Sequence, residues 1–278
     1  MEFIVEYFNN IPTLHRAIIL VGGISFFWIL EGALPLFLFK YKKWKHAIPN
    51  FFFTTTTILI NFSLAFLLLA ISDWVVYNKF GFIYLFNELP LILEVFIAVL
   101  LLDFFGAFLA HYVEHQFNSL WMIHLVHHSD HKVDTTTANR HHPLESLIRF
   151  SFTLLAILIV GAPIAYVLLY QSLSVISTQF NHANIKLPKK IDKLISYVLV
   201  SPDMHKIHHH YRLPYTDANY GNIFSIWDRI FGTYMDLDRE KIVYGVDVFP
   251  DEKKNSKIVD LLKQPFQVYQ RPTKSEKI

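Results

Sequence analysis

Thirteen of the fifteen histidines in this 278-residue chain lie between His111 and His210. A helix turns about 100° per residue, so residues three and four apart share a face. His111 and His115 form one such pair. His124, His127 and His128 form a second box, and His205, His208 and His209 form a third. Neutral imidazole ligates iron, zinc, copper and nickel, so a single box says little. Three boxes predict a metal centre, because burying so many imidazoles without a metal would leave many ring nitrogens to satisfy.

What the chain lacks narrows the chemistry. It has no cysteine, which excludes thiolate zinc sites, iron–sulfur clusters, disulfides and cysteine nucleophiles. The H-E-x-x-H protease pattern, the Glu-x-x-His pairs of soluble di-iron bundles and glycine-rich nucleotide loops are all absent. Electrons must therefore come from outside. The net charge of +2 gives no reason to propose nucleic acid as a partner.

The frame that positions these boxes reads as membrane-embedded. Hydrophobic residues make up 53% of the chain and charged ones only 17%, with 26 phenylalanines. Apolar runs over 17–39, 51–71 and 89–110 are each about 20 residues or longer, enough to cross a hydrocarbon core of about 30 Å. A fourth, 147–180, is interrupted by Gly161, Ala162 and Pro163. As one crossing helix it would put His182 and the third box on the opposite side from the first two. A shared centre therefore requires two shorter helices in a hairpin, bent at that tripeptide. The expected fold is an all-α integral membrane protein with about three transmembrane helices, the hairpin and a histidine-rich helical cap.

Lys40, Lys42, Lys43 and Lys45 crowd one connection, which the positive-inside rule places in the cytoplasm. The third helix then delivers His111 to the cytoplasmic face. Glu2 and Glu6 do not make a basic leader, so the first apolar run is expected to be retained. The expected organisation is transmembrane helices over 1–102, a catalytic region over 103–240 and a polar tail over 241–278 without chemistry. From Lys186 onward the composition reads as water-facing. Ser201, Pro202 and Asp203 predict a helix start just before the third box.

The ordered motifs resemble one family. They run His-x3-His, His-x2-His-His, Arg140-His-His-Pro-Leu-Glu145, Phe180-Asn-His-Ala-Asn184, Pro202-Asp-Met-His-Lys-Ile-His-His209, Asp217-Ala-Asn-Tyr-Gly221 and Trp227-Asp-Arg-Ile-Phe-Gly-Thr-Tyr234. Over roughly 103–234 this is similar to the fatty acid hydroxylase and sterol desaturase superfamily of integral membrane proteins. The resemblance implies a dinuclear non-haem iron centre at the cytoplasmic membrane face, with dioxygen as co-substrate. The implied ligands are His111, His115, His124, His127, His128, His182, His205, His208 and His209. A tenth would be His141 or His142, with His142, directly before Pro143, the choice made here. Glu114, Asp130, Asp203 and Asp228 are candidates to orient the imidazoles or offset the metal charge.

No haem-binding His-Pro-Gly-Gly motif occurs, so a separate donor is implied, either cytochrome b5 or a ferredoxin-type protein with its reductase. The substrate class that the resemblance implies is a membrane lipid, hydroxylated or desaturated at a C–H bond in lipid biosynthesis. The expected location is a bacterial inner membrane, otherwise the endoplasmic reticulum. A histidine-caged zinc hydrolase is the alternative, and a divalent-metal transporter fits less well because its ligands would lie along a mid-membrane path. His15 and His46 read as interfacial or solvated, His131 and His210 as neighbours of the boxes. Asp103 and Glu94 read as either functional intramembrane acids or interfacial groups.

Overall fold

The structure is a computed structural model that describes residues 1–274 apart from Asn87. Among the described residues strand pairing is limited to isolated bridges, and the architecture is helical. After the short α1 (Glu2–Asn9) come α2 (Thr13–Ala33) and α3 (Lys43–Tyr77). α4 (Leu91–Asp103) then runs through a π-helical turn (Phe104–Phe108) into α5 (Leu109–Gln116). α6 (Asn118–His128), α7 (Pro143–Val160) and α8 (Ile164–His182) follow. Among the described residues four stretches are long and apolar enough to cross a membrane, namely Thr13–Ala33, Lys43–Leu85, Leu91–Gln116 and Pro143–Val160. These fit a multi-pass membrane protein.

The hairpin forms where the broken apolar run requires it. Gly161 ends α7 in the left-handed conformation at φ 78°, which glycine adopts without a Cβ penalty. A Cβ there would also stand 2.4 Å from the Phe80 carbonyl oxygen. Ser72 Oγ donates to the Ala162 carbonyl at 3.0 Å. The tip is thus packed against the far end of α3, and the two helices, of 18 and 19 residues, are longer than the short pair the sequence suggested. Both ends of the hairpin consequently return to the side on which His111 emerges.

The connections on that side are held by buried polar groups. Glu31, at the end of α2, accepts from the backbone N–H of Thr135 at 2.7 Å and of Asn184 at 2.9 Å, and pairs with Lys43 at 2.8 Å. Beyond α8 the cap contains α9 (Lys189–Ile195), α10 (Pro202–His208), α11 (Ile226–Ile230) and α12 (Ile258–Lys263). α10 starts as its sequence predicts, with Ser201 Oγ accepting from Met204 N–H at 3.3 Å and Pro202 in the first turn. The polar tail is built into the cap. Leu261 packs with Phe53 and Val126, and the Asn255 carbonyl accepts from Arg140 at 2.6 Å. Residues 275–278 of that tail lie outside the described residues.

Candidate metal centre

Four elements converge to bring nine histidines into two buried groups. In the first, His111 and His115 from α5, His124 and His128 from α6, and His208 from α10 have one ring nitrogen each, all within 4.8 Å of one another. In the second, His127 from α6, His182 from the end of α8, His205 from α10 and His209 just after it meet the same limit. The groups adjoin through neighbouring rings. His128 and His209 stack at 4.8 Å between centroids, and His124 and His127 lie 5.2 Å apart.

The hydrogen bonds around the rings decide which nitrogens face inward. Nδ1 of His111 donates to the Tyr220 carbonyl at 2.8 Å, and Nδ1 of His208 to the Ala218 carbonyl at 2.7 Å. Nδ1 of His182 donates to the Thr178 carbonyl at 2.8 Å. Nδ1 of His124 is held by Glu145 at 2.7 Å and that of His115 by Asp217 at 3.2 Å. A neutral imidazole carries one proton, so in these five rings Nε2 is left as a lone pair. Yet Nε2 of His111 stands 3.1 Å from Nε2 of His124, with no proton available to either. Nε2 of His182, whose own proton is on Nδ1, is the point on which Nε2 of His127, His205 and His209 converge at 3.0–3.2 Å. Among the described residues, Nε2 of both His115 and His208 is buried without a partner. Lone pairs converging at these distances in a dry interior are what a cation resolves, so the donor set fits bound metal.

Electrostatics agree with that fit. Burial, followed by repulsion from neighbouring imidazoles, pushes His124, His127, His128, His205 and His208 well below the usual histidine pKa. His209 is pushed the same way by burial and His182. These rings are neutral near pH 7, the form that ligates.

A family model for fatty acid hydroxylases matches residues 95–233, half of the chain and the half that carries both histidine groups. The chain belongs to the fatty acid hydroxylase family. It is 25% identical to the ornithine lipid hydroxylase OlsE of Rhizobium tropici over 181 residues, which cover 65% of this chain and 52% of that protein. It is 29% identical to the human alkylglycerol monooxygenase over 151 residues, 51% of this chain and 31% of the relative. The Danio rerio alkylglycerol monooxygenase is 32% identical over 147 residues, 51% of this chain and 30% of the relative. The chain thus spans about half or less of the length of these relatives. No solved structure matches it.

Among the family-motif residues, His142 is not brought into either group. It is the N-cap of α7, accepting from Leu144 N–H at 3.2 Å, with Nε2 3.3 Å from the Leu262 carbonyl. Pro143 fixes the helix start there and turns the ring toward the tail. The His141 ring lies closer, 5.1 Å from that of His127. His131 bonds to the Ser129 carbonyl at 3.1 Å and His210 stacks on Tyr211 and Tyr215. His46 is not solvated as its isolation suggested. Nε2 lies 2.8 Å from Asp130 and Nδ1 3.2 Å from Asp134, which binds α3 to the loop after α6.

The candidate carboxylates divide. Glu114 lies 3.7 Å from His124 Nδ1 and 2.7 Å from Arg149, so it serves the first group directly. Asp130 serves His46 and Thr137, and Asp203 pairs with Arg239. Asp228 acts through the backbone, accepting from Tyr220 and Gly221 N–H at 2.8 Å each, and Tyr220 carries the carbonyl that orients His111. Sequence reasoning quoted Glu145 and Asp217 in motifs without assigning them, and Arg149 not at all. Glu145 sits three residues past His142 and reaches His124 only because α7 packs beside α6. Lys206, between two of the histidines, is fully buried and donates to the Ala183 carbonyl. Burial pushes its pKa down to about 8 despite Asp203 and Asp192.

Proposed function

We propose that this chain is a membrane-bound di-iron oxygenase that hydroxylates or desaturates a lipid C–H bond with dioxygen. The observation that carries the reading is the pair of adjoining histidine groups, five and four rings, buried where four membrane-associated elements converge. His111, His115, His124, His128 and His208 would hold one metal, and His127, His182, His205 and His209 the other. A redox metal suits the family's oxygen chemistry, which zinc does not. Two irons there would pass on the donor's electrons and offer the open positions that activate dioxygen toward an unactivated C–H bond.

The chain's own part is geometric and electrostatic. The carbonyls of Tyr220, Ala218 and Thr178 fix the protonated nitrogens outward, so each ring presents Nε2 without reorganisation. Glu145, Glu114 and Asp217 offset positive charge beside the first group, and Arg149, 3.0 Å from Glu145, keeps the two glutamates close. Trp121, 4.8 Å from the His115 ring, closes one side to water. The catalytic unit is 103–240. Its electrons come from a separate cytochrome b5 or ferredoxin-type donor. The named relatives support a lipid with a polar head group as substrate. The lysine-rich connection after α2 lies on the side of the histidines, joined to it by the Lys43–Glu31 pair, which supports a cytoplasmic site. A bacterial inner membrane, or otherwise the endoplasmic reticulum, is the proposed location.

The test is metal analysis of protein purified from iron-supplemented cells, beside a His127→Ala, His208→Ala double variant. About two irons per chain, lost in the variant, together with lipid- and reductase-dependent oxygen uptake, are expected. Stoichiometric zinc that survives iron reloading, with no oxygen uptake, would overturn the reading in favour of a hydrolase.

A further inference from the structure

The part of the cap that composition marks as water-facing carries an apolar surface. Ile191 and Leu194 of α9, Val198 after it, and Ile226, Ile230 and Phe231 at α11 are 44–69% exposed. The two segments are joined. Leu199 bridges Phe224, Ser225 N–H donates to the Val198 carbonyl at 3.1 Å, and Arg229 donates to the Ser196 carbonyl at 2.6 Å.

The joined unit is fastened to a membrane span, partway along it. Asp103, near the middle of the apolar stretch Leu91–Gln116, accepts from the N–H groups of Ile223 and Phe224 and from Trp227 Nε1, each at 3.2 Å. The Phe224 ring reaches further down α4, to 6.3 Å from Phe96. Phe231 stacks on Phe104 at 5.5 Å. The exposed apolar residues therefore begin at the depth of α4, continuous with its lipid-facing surface.

Charge is arranged to match. Asp192 of α9 points inward, 2.6 Å from Ser201 Oγ. At about 100° per residue the opposite face centres on Lys190 and Leu194, with Ile191 toward one edge and Lys189 and Lys193 toward the other. An apolar edge beside a lysine edge on a short surface helix is the pattern of a segment lying in the membrane interface.

We infer that 189–199 and 223–231 form a foot of the catalytic cap embedded in the same leaflet as the ends of the membrane helices, with Lys189, Lys190 and Lys193 on anionic lipid head groups. The foot fixes the height of the histidine groups above the bilayer, since α10 directly follows its first segment and Tyr220 directly precedes its second. The inference stands whatever reaction the centre performs.

Because the chain has no cysteine, single replacements can be labelled cleanly. Leu194→Cys, Val198→Cys and Ile230→Cys, with the exposed Lys254→Cys of the tail as the aqueous control, are labelled with a bimane fluorophore in the full chain. The protein is reconstituted in phosphatidylcholine vesicles with or without phosphatidylglycerol. Quenching by nitroxide-bearing lipid relative to iodide is expected to be at least threefold higher at the three sites than at the control. Phosphatidylglycerol should raise it, and a Lys189→Glu, Lys190→Glu, Lys193→Glu background should abolish that rise. Iodide access equal to the control overturns the inference. So does shielding from both quenchers, which would mean that protein covers the face. Indifference to phosphatidylglycerol overturns the head-group contact.

Discussion

Asp103 is the acid that the sequence left between a functional intramembrane group and an interfacial one, and its surroundings define a quantitative test. Its fully buried carboxylate is satisfied by three donors from one segment, Ile223 N–H, Phe224 N–H and Trp227 Nε1. Asp103→Ala strands all three away from water. A buried group left unsatisfied costs about 1–3 kcal/mol. Neighbouring losses do not simply add, so at least about 3 kcal/mol is expected. Trp227→Phe removes a single donor and leaves the carboxylate two, for a cost of about 1–2 kcal/mol. At about 2 °C per kcal/mol for a chain of this size, Asp103→Ala should melt at least ~6 °C lower and Trp227→Phe about 2–4 °C lower. The loss should reach the metal, because the released segment also carries Tyr220, whose carbonyl orients His111 at 2.8 Å. Thermal unfolding by tryptophan fluorescence and metal content per chain, measured on the same detergent-purified samples, check both parts. An Asp103→Ala protein that melts within 2 °C (about 1 kcal/mol) of the parent with full metal would refute the fastening role.

Further perturbations separate orienting from ligating groups. Glu145→Ala removes the partner of His124 Nδ1 and should weaken metal retention about 10–100-fold, read by chelator competition, while the melting point of the metal-free protein falls less. His142→Ala should leave metal content unchanged and cost about 1 kcal/mol for the lost N-cap; metal loss in that variant would return it to the ligand set. Gly161→Leu forces a side chain into φ 78° and against the Phe80 carbonyl, and should depress the melting point or the yield of folded protein. Metal-free protein should lose stability as pH falls. His124, His127, His128, His205, His208 and His209 titrate well below their unfolded value of about 6.5. The unfolded chain therefore takes up protons first, and the neutral cage loses up to about 1.4 kcal/mol per pH unit for each ring below pH 6.5. A melting point flat from pH 8 to 5 would contradict this burial.

The sequence was most legible where chemistry and periodicity coincided. The boxes 111–115 and 124–128, and 205–208 with His209 as the cap, lie on helices whose three- and four-residue spacing sets their faces, and the hairpin followed from requiring one shared centre. The groups that aim the rings were less legible. Glu145 and Asp217 reach histidines 21 and 102 residues away, and no local pattern encodes such pairs. His142 lies outside both groups, and adjacency in sequence between His141 and His142 says nothing about which ring a proline-started helix turns outward. His46 looked isolated because its partners Asp130 and Asp134 lie 84 and more residues on. The apolar residues of α9 were diluted by lysines and those of α11 by Asp228 and Arg229, and their shared face appears only once 198–200 pairs with 223–225.

The division of the histidines also explains why the membrane frame and the centre cannot be separated. α6 and α10 each contribute to both groups, so they set the spacing between them. α5 contributes only to the first group and α8 only to the second. α5 continues α4 through the π turn, where the extra residue changes the rotation with which His111 and His115 leave the membrane. α8 is the returning arm of the hairpin, and its His182 is the ring that the other three of the second group face. Each group therefore takes its position from a different membrane element, and a shift of the hairpin relative to α4 would separate the two groups while leaving each box intact. The Tyr166 hydroxyl near the start of α8, donating to Glu94 of α4 at 2.7 Å, ties the hairpin to α4 at the end away from the histidines.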